Sequence, residues 1–381
     1  MSPSAPAVAF AVVGNPGNRR VALFQDAVRA AGLPGARVVP WLEVLNGRAV
    51  FRPGESVRID SPGEDPEVER LLRGAAATTR VEGTGRWYHR FTAAVHEVAQ
   101  AVRSAGGTLW SDPDELGVLF DKRLCHGALA AAGTPVPASP TSGPDAVRDP
   151  VRGWEDVRAV LALPGFRRAF VKLAHGSSAS GVLAVETGGG GRIRATTSVE
   201  RTSSGALHNS LRLRRYEDER VIGAIVDALA PDGLHIERWL AKASQQGRSA
   251  DLRVVVGGGR ATHAVVRTAA GPLTNLHLGG TRGDLAAAVA AVTAAGGHWE
   301  RDALAVCERA AASFPRTLCV GVDLLPALGW RSFAVGEVNA FGDLLPRLTG
   351  LPGSPAEGLD TYAAQVAAVR RDQHVRAPAR P

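Results

Sequence analysis

The tightest constraint in this chain is a pair of short apolar stretches near its C-terminal end, TLCVGVDLLPALGWRSFAVGEVNA, residues 317–340. They read as two strands around a turn near Gly329. The first carries Asp323. The second carries Glu337 and Asn339, two residues apart and therefore on one side of the strand. If the strands pair, three oxygen-bearing side chains converge on one face. Two carboxylates side by side in an apolar sheet repel unless a cation neutralises them. One solution is a divalent ion: hard oxygen ligands suit Mg²⁺ (or Mn²⁺), which also takes oxygens from substrate phosphates. The other is a pair of salt bridges, with Arg267 or Arg331 as partners. Asn339 favours the metal, because an amide forms no ion pair. Asp343, just beyond, reads as a cap for the next turn or, less simply, as a residue supporting the metal ligands.

A second constraint is the scarcity of lysine. Of 44 basic residues only Lys122, Lys172 and Lys242 are lysine. Each survivor is a candidate for a task that suits a compact point charge on a flexible stem, such as reaching a phosphate in a tight pocket. Lys172 lies in the apolar strand of FVKLAHGSSASGV. A loop of small residues follows: Gly176, Ser177, Ser178, Ala179, Ser180 and Gly181. Such a loop lets backbone N–H groups approach an anion closely. A lysine whose stem packs while its head reaches solvent fits the same stretch equally well.

The rest of the chain bounds the setting. At 381 residues it is too long for one ordinary core and suits two or three domains. No apolar run reaches a membrane span, and the N-terminus lacks the basic start of a signal peptide, so a cytoplasmic address is expected. Cys125, Cys307 and Cys319 have neither metal spacing nor an even count and read as buried free thiols. The net charge of +7 is spread without basic blocks, which argues against nucleic acid.

Residues 1–115 alternate strands and helices, as a small parallel α/β unit does. Its GNPGNRR turn, Gly14 to Arg20, is a tight strand-to-helix turn or, less simply, a phosphate cradle. DKRLCHGALAAAGTPVP gives a helix from about Lys122 to Ala132. GGGG, Gly188 to Gly191, is a hairpin tip. Arg212, Arg214 and Arg215 read as the wet face of a strand or, less simply, as contacts for an anionic substrate. DLRVVVGGGRATHAVVR is a hairpin carrying Asp251, Arg253 and Arg267, the first two read as a structural pair within it or as direct participants. Ala-rich and C-terminal helices are expected at about Arg301–Ser313 and Asp360–Arg371.

In order along the chain, these pieces resemble the ATP-grasp superfamily. DKRLCHGALAAAGTPVP is similar to its opening segment, FVKLAHGSSASGV to its strand lysine and glycine-rich lid, and HIERWL to the hinge beside the adenine. DLRVVVGGGRATHAVVR resembles its Asp-x-Arg strand and the following strand ending in Arg, NLHLGG its Asn-containing loop, and GVDLL with EVNAFG its metal-binding strands. The likeness spans residues 110–350. His235 stands in the hinge where the ribosomal-protein glutamate ligases favour Gln.

The resemblance implies an α/β fold: an N-terminal Rossmann-like domain (1–115), a central lid lobe (116–240) and a metal-binding C-terminal lobe (241–381). It implies ATP and Mg²⁺ as cofactors and activation of a carboxylate as an acyl phosphate that an amine then captures. Lys122, Lys172, Gly176, Ser177, Ser178 and Gly181 would hold phosphates. Glu237, Arg238, Trp239 and Leu240 would form the hinge. Asp323, Glu337 and Asn339 would hold the metal. Arg267, Asn275 and Arg253 would face the reacting groups. Small-molecule or peptide carboxylate and amine substrates are expected, and a homodimer is one open possibility. A kinase on this fold and a nucleotide-binding module without turnover are the alternatives.

Overall fold

The computed structural model describes residues 9–74, 79–176, 180–341 and 348–376. Ser177, Ser178 and Asp343 lie outside the described residues. Four strands, β1 (Phe10–Gly14), β2 (Arg37–Pro40), β3 (Ser56–Ile59) and β4 (Thr108–Leu109), form a parallel sheet in the order β2-β1-β3-β4. β1 and β3 are buried throughout, as strands covered on both faces must be. The GNPGN turn leads into the helix Arg19–Ala30, where the Asn18 side chain accepts the Arg20 N–H at 2.9 Å. The helix Thr84–Ser104 buries Trp87, Phe91, Val95, Val98 and Val102, a stripe at helical spacing.

Five antiparallel strands follow: β5 (Arg168–Leu173), β6 (Leu183–Thr187), β7 (Ile193–Arg201), β8 (Leu207–Tyr216) and β9 (Leu234–Arg238). Their order is β8-β7-β6-β5-β9. β8 is the edge. Arg212, Arg214 and Arg215 are exposed on it, with Arg214 paired to Glu200, so this segment is a wet strand face.

The last sheet holds β10 (Ser244–Gln245), β11 (Arg248–Gly257), β12 (Arg260–Ala269), β13 (Thr281–Arg282), β14 (Cys319–Pro326) and β15 (Phe333–Asn339). The path runs β13-β12-β11-β14-β15, with β10 paired to β11. Strong alternation and glycine turns made the long hairpins legible. Two helices depart from the sequence reading. Leu285–Ala294 was not foreseen, because an Ala-rich run gives little contrast between faces. The expected Arg301–Ser313 helix is a π-helical stretch, Trp299–Leu304, running into Ala305–Ala312.

The cores are arranged unequally. One continuous core joins Val13, Trp41 and Phe91 of the N-terminal part to Val254, Val322 and Phe341 of the last sheet. The five-stranded sheet has a separate core, built from Val171, Leu173, Ile222, Leu229 and Ile236. Cys125 and Cys307 are buried. Cys319 is half-buried instead, because it stands at the start of β14.

Candidate active site

The register of the last sheet determines which side chains share a face. Asp251 lies opposite Arg267 across β11 and β12, and Arg253 lies opposite Asp323 across β11 and β14. Asp323 in turn lies opposite Glu337 across β14 and β15. A bulge follows at once: Leu324 pairs with Val335, leaving Gly336 as the extra residue. A Cβ on Gly336 would come within 3.0 Å of the Leu325 side chain, which explains the glycine. Gly321 likewise leaves room for Arg253, whose guanidinium stands 3.3 Å from where a Cβ would be.

Ion pairs link this row. Arg253 Nε donates to Asp323 Oδ1 at 2.5 Å, and Arg267 Nη2 reaches the same oxygen at 3.1 Å. Arg267 Nε donates to Asp251 Oδ1 at 2.8 Å. Asp251 and Arg253 therefore do not pair with each other: Asp251 finds its partner across the hairpin in Arg267, and Arg253 finds its partner in Asp323 on β14. Burial opposes the charge on Asp323, but Arg253 and Arg267 outweigh it and hold the carboxyl down at about 2. The salt-bridge alternative read from the sequence is thus realised for Asp323, through Arg267 and Arg253. Glu337 pairs with a lysine and not with Arg331.

That lysine is Lys122, at the start of the helix Lys122–Ala131. The helix is capped by Asp121, which accepts from the Arg123 N–H at 2.9 Å. Lys122 Nζ stands 2.8 Å from Glu337 Oε1 and donates to the Gly176 carbonyl at 2.6 Å. Lys172, on β5, pairs with Glu237 on β9. Burial disfavours charge on both. Lys172 and His235 nevertheless hold the Glu237 carboxyl down at about 2, and Glu237 in turn raises the Lys172 pKa.

These residues line one cavity of about 330 Å³, bounded by both antiparallel sheets and by the end of the N-terminal one. Lys122, Lys172, Gly176, Glu237, Arg238 and Leu240 border it; so do Arg253, Arg267, Asn275, Asp323, Glu337 and Asn339. Among the described residues, two of the sequence reading do not. Trp239 packs under Arg168, 3.9 Å from its ring centroid, and beside Phe170. Gly181, at φ 69°, stands against Leu173, while its neighbours Ser180 and Val182 reach the cavity. Asn275 lines the cavity and also caps a turn, accepting the His277 N–H at 2.9 Å.

Among the polar lining residues to which the sequence reading gave no firm place are Lys242, Arg20 and Ser61. Lys242 was singled out by its rarity but given no place. Its Nζ lies 3.0 Å from Thr274 Oγ1 and 3.3 Å from Asp251 Oδ2. Burial, only partly offset by Asp251, lowers its pKa.

The oxygen donors suit a divalent cation. Asp323, Glu337 and Asn339 share one face, and the Asn339 amide nitrogen donates to the Gly321 carbonyl at 3.4 Å, leaving its oxygen as the acceptor. The charges on Arg253, Arg267 and Lys122 already compensate both carboxylates.

No protein-family model matches the chain, and no curated protein matches its sequence. Solved structures do. The ATP-grasp ligase PsnB, complexed with a phosphomimetic variant of its minimal precursor, Mg and ADP, superposes with a TM-score of 0.52 over 96% of this chain and 99% of that one, at 15% identity. The D-alanine–D-alanine ligase from Bacillus anthracis, complexed with ATP, gives 0.50 over 98% and 99%, at 12% identity. The chain has the ATP-grasp fold. The cavity lies between the five-stranded sheet, which carries Lys172, and the last sheet, which carries Asp323, Glu337 and Asn339.

Proposed function

We propose that this chain is an ATP- and Mg²⁺-dependent ligase that activates a carboxylate as an acyl phosphate and joins it to an amine. The observation that carries the reading is the meeting of two lysines with three oxygen donors across one cleft. The similarity to PsnB with Mg and ADP and to a D-alanine–D-alanine ligase with ATP supports it at the level of the fold.

Lys122 and Lys172 would bind phosphate oxygens, exchanging carboxylate partners for the nucleotide. Glu237, with the backbone from Arg238 to Leu240, would border the base and ribose. Asp323, Glu337 and Asn339 would hold Mg²⁺, which when bound neutralises charge on the β- and γ-phosphates. The acid's carboxylate oxygen attacks the γ-phosphorus, and the bond to the leaving ADP oxygen breaks. The amine nitrogen then attacks the acyl carbon, loses a proton, and inorganic phosphate departs. Arg267, Arg253 and Asn275 would stabilise the negative charge that develops on the acyl phosphate and the tetrahedral intermediate; fixed donors in a dry cleft serve this better than water does. The boundaries at 115 and 240 are proposed as the limits of the N-terminal, lid and metal-binding parts.

The test is product analysis with acid and amine probes offered singly and in pairs. ADP and free phosphate formed only with both probes fit the ligase. ADP with a phosphorylated hydroxyl product would make the protein a kinase instead.

A further inference from the structure

The cleft has a third wall. β1 leads to β2 on one side and β3 leads to β4 on the other, so the order β2-β1-β3-β4 places a switch of direction between β1 and β3. Crevices at the carboxyl ends of such strands are where open parallel sheets bind ligands. Arg20 follows β1, Ser61 follows β3, and both line the cavity. The loops are pinned together: the Asn15 amide donates to the carbonyls of Pro62 and Gly63 at 2.8 and 3.0 Å.

Arg20, which is half-buried, differs from the cleft's other cations. Lys122 has Glu337, Lys172 has Glu237, Lys242 has Asp251, Arg253 has Asp323, and Arg267 has both Asp251 and Asp323. The nearest carboxylate to Arg20 is Asp60, at 3.6 Å from Nε. Asp60 is already occupied by Arg58 at 2.8 Å and by the Ser61 N–H at 2.8 Å. The Arg20 Nε is buried and has no hydrogen-bond partner among the described residues. Arg20 and Arg58 against one carboxylate leave an excess positive charge at the cleft. Arg238 also has no ion-pair partner among the described residues, but it is exposed, at the end of β9. The Ser61 hydroxyl accepts the Gly63 N–H at 3.2 Å and keeps its proton to donate.

We infer that Arg20 and Ser61 form a subsite for a carboxylate that the reaction leaves intact, so that one substrate carries a carboxylate beyond the one that is activated. A guanidinium takes a carboxylate with two parallel hydrogen bonds, and Ser61 adds a third donor. The inference rests on the ligase reading for what happens to the substrate, but not for the binding itself.

Thermal protection is measured with glutarate against its monoamide, glutaramate, and with the dipeptides Ala-Ala and Ala-Glu, each free and C-terminally amidated. Each probe is titrated with and without a non-hydrolysable ATP analogue and Mg²⁺. In the wild type, at least one carboxylate form is expected to protect at roughly tenfold lower concentration than its amide, the scale of one charge-assisted pair. Arg20→Gln is expected to abolish that preference, Arg20→Lys to restore part of it, and Ser61→Ala to weaken it less. Protection by the ATP analogue should stay unchanged in all three variants, which also shows that they fold. Equal protection by acid and amide across the wild-type panel overturns the subsite, as does a preference that survives in Arg20→Gln. Loss of protection by the ATP analogue in the wild type would instead overturn the ligase reading, while the arm without nucleotide still decides on Arg20.

Discussion

Glu237 is 3% exposed and its carboxylate is held by a buried lysine, so a small change there has large electrostatic consequences. Glu237→Gln would leave Lys172 without its counter-charge, and equilibrium denaturation should show a loss of ~3 kcal/mol. The pH dependence has a definite sign. The carboxyl pKa is about 2 in the folded chain against an ordinary 4.5, so the contribution of Glu237 is complete above pH 4.5 and is lost as pH falls toward 2. Acid titration of stability in that window should lose roughly one proton of slope in Glu237→Gln. In the proposed site, Glu337→Gln and Asn339→Ala should each abolish ATP turnover while circular dichroism stays native. Unchanged turnover in both would remove the metal assignment. Lys172→Ala should weaken nucleotide binding by tenfold or more, about the worth of one charged contact, measured by calorimetry.

At the scale of single elements, the turn at Gly181 is tightly specified. Gly181 combines φ 69° with the Leu173 side chain directly where a Cβ would go. Gly181→Ala should cost about 1–3 kcal/mol of stability, and an unchanged melting midpoint would show that the loop re-forms differently. The same scale explains what the sequence revealed. β14 and β15 were legible because a glycine turn joins them and because a two-residue offset decides which side chains share a face. The pairing of Arg253 with Asp323 was not legible, since β11 and β14 are joined by a long excursion and nothing local sets their register. Trp239 was misplaced because a hinge motif gives the order of residues and not which of them turns inward. Lys242 was flagged by composition alone; its neighbours Asp251 and Thr274 lie on separate segments that only the fold brings together.

For the whole molecule, the division of cores has a mechanical meaning. The five-stranded lobe has its own apolar interior, whereas the first and last sheets share one. A ligand gripped from both sides should stabilise the two together. Millimolar ATP with Mg²⁺ is expected to raise the melting midpoint, the stabilisation being about 2.7 kcal/mol when ATP is present at a hundred times its dissociation constant. Hydrogen exchange should show protection gained in β5 and β9 as well as in β14 and β15; protection confined to one lobe would count against a shared site. The ion pairs of the cleft have a further consequence for binding. Lys122, Lys172, Arg253 and Arg267 already have protein carboxylates, so a nucleotide entering there displaces fixed anions and few counter-ions from solution. The cleft then behaves as an ion exchanger loaded with its own acids, and nucleotide affinity should depend only shallowly on salt. A carboxylate arriving at Arg20 competes only with Asp60, 3.6 Å away and already held by Arg58, so its binding should be the more salt-sensitive step.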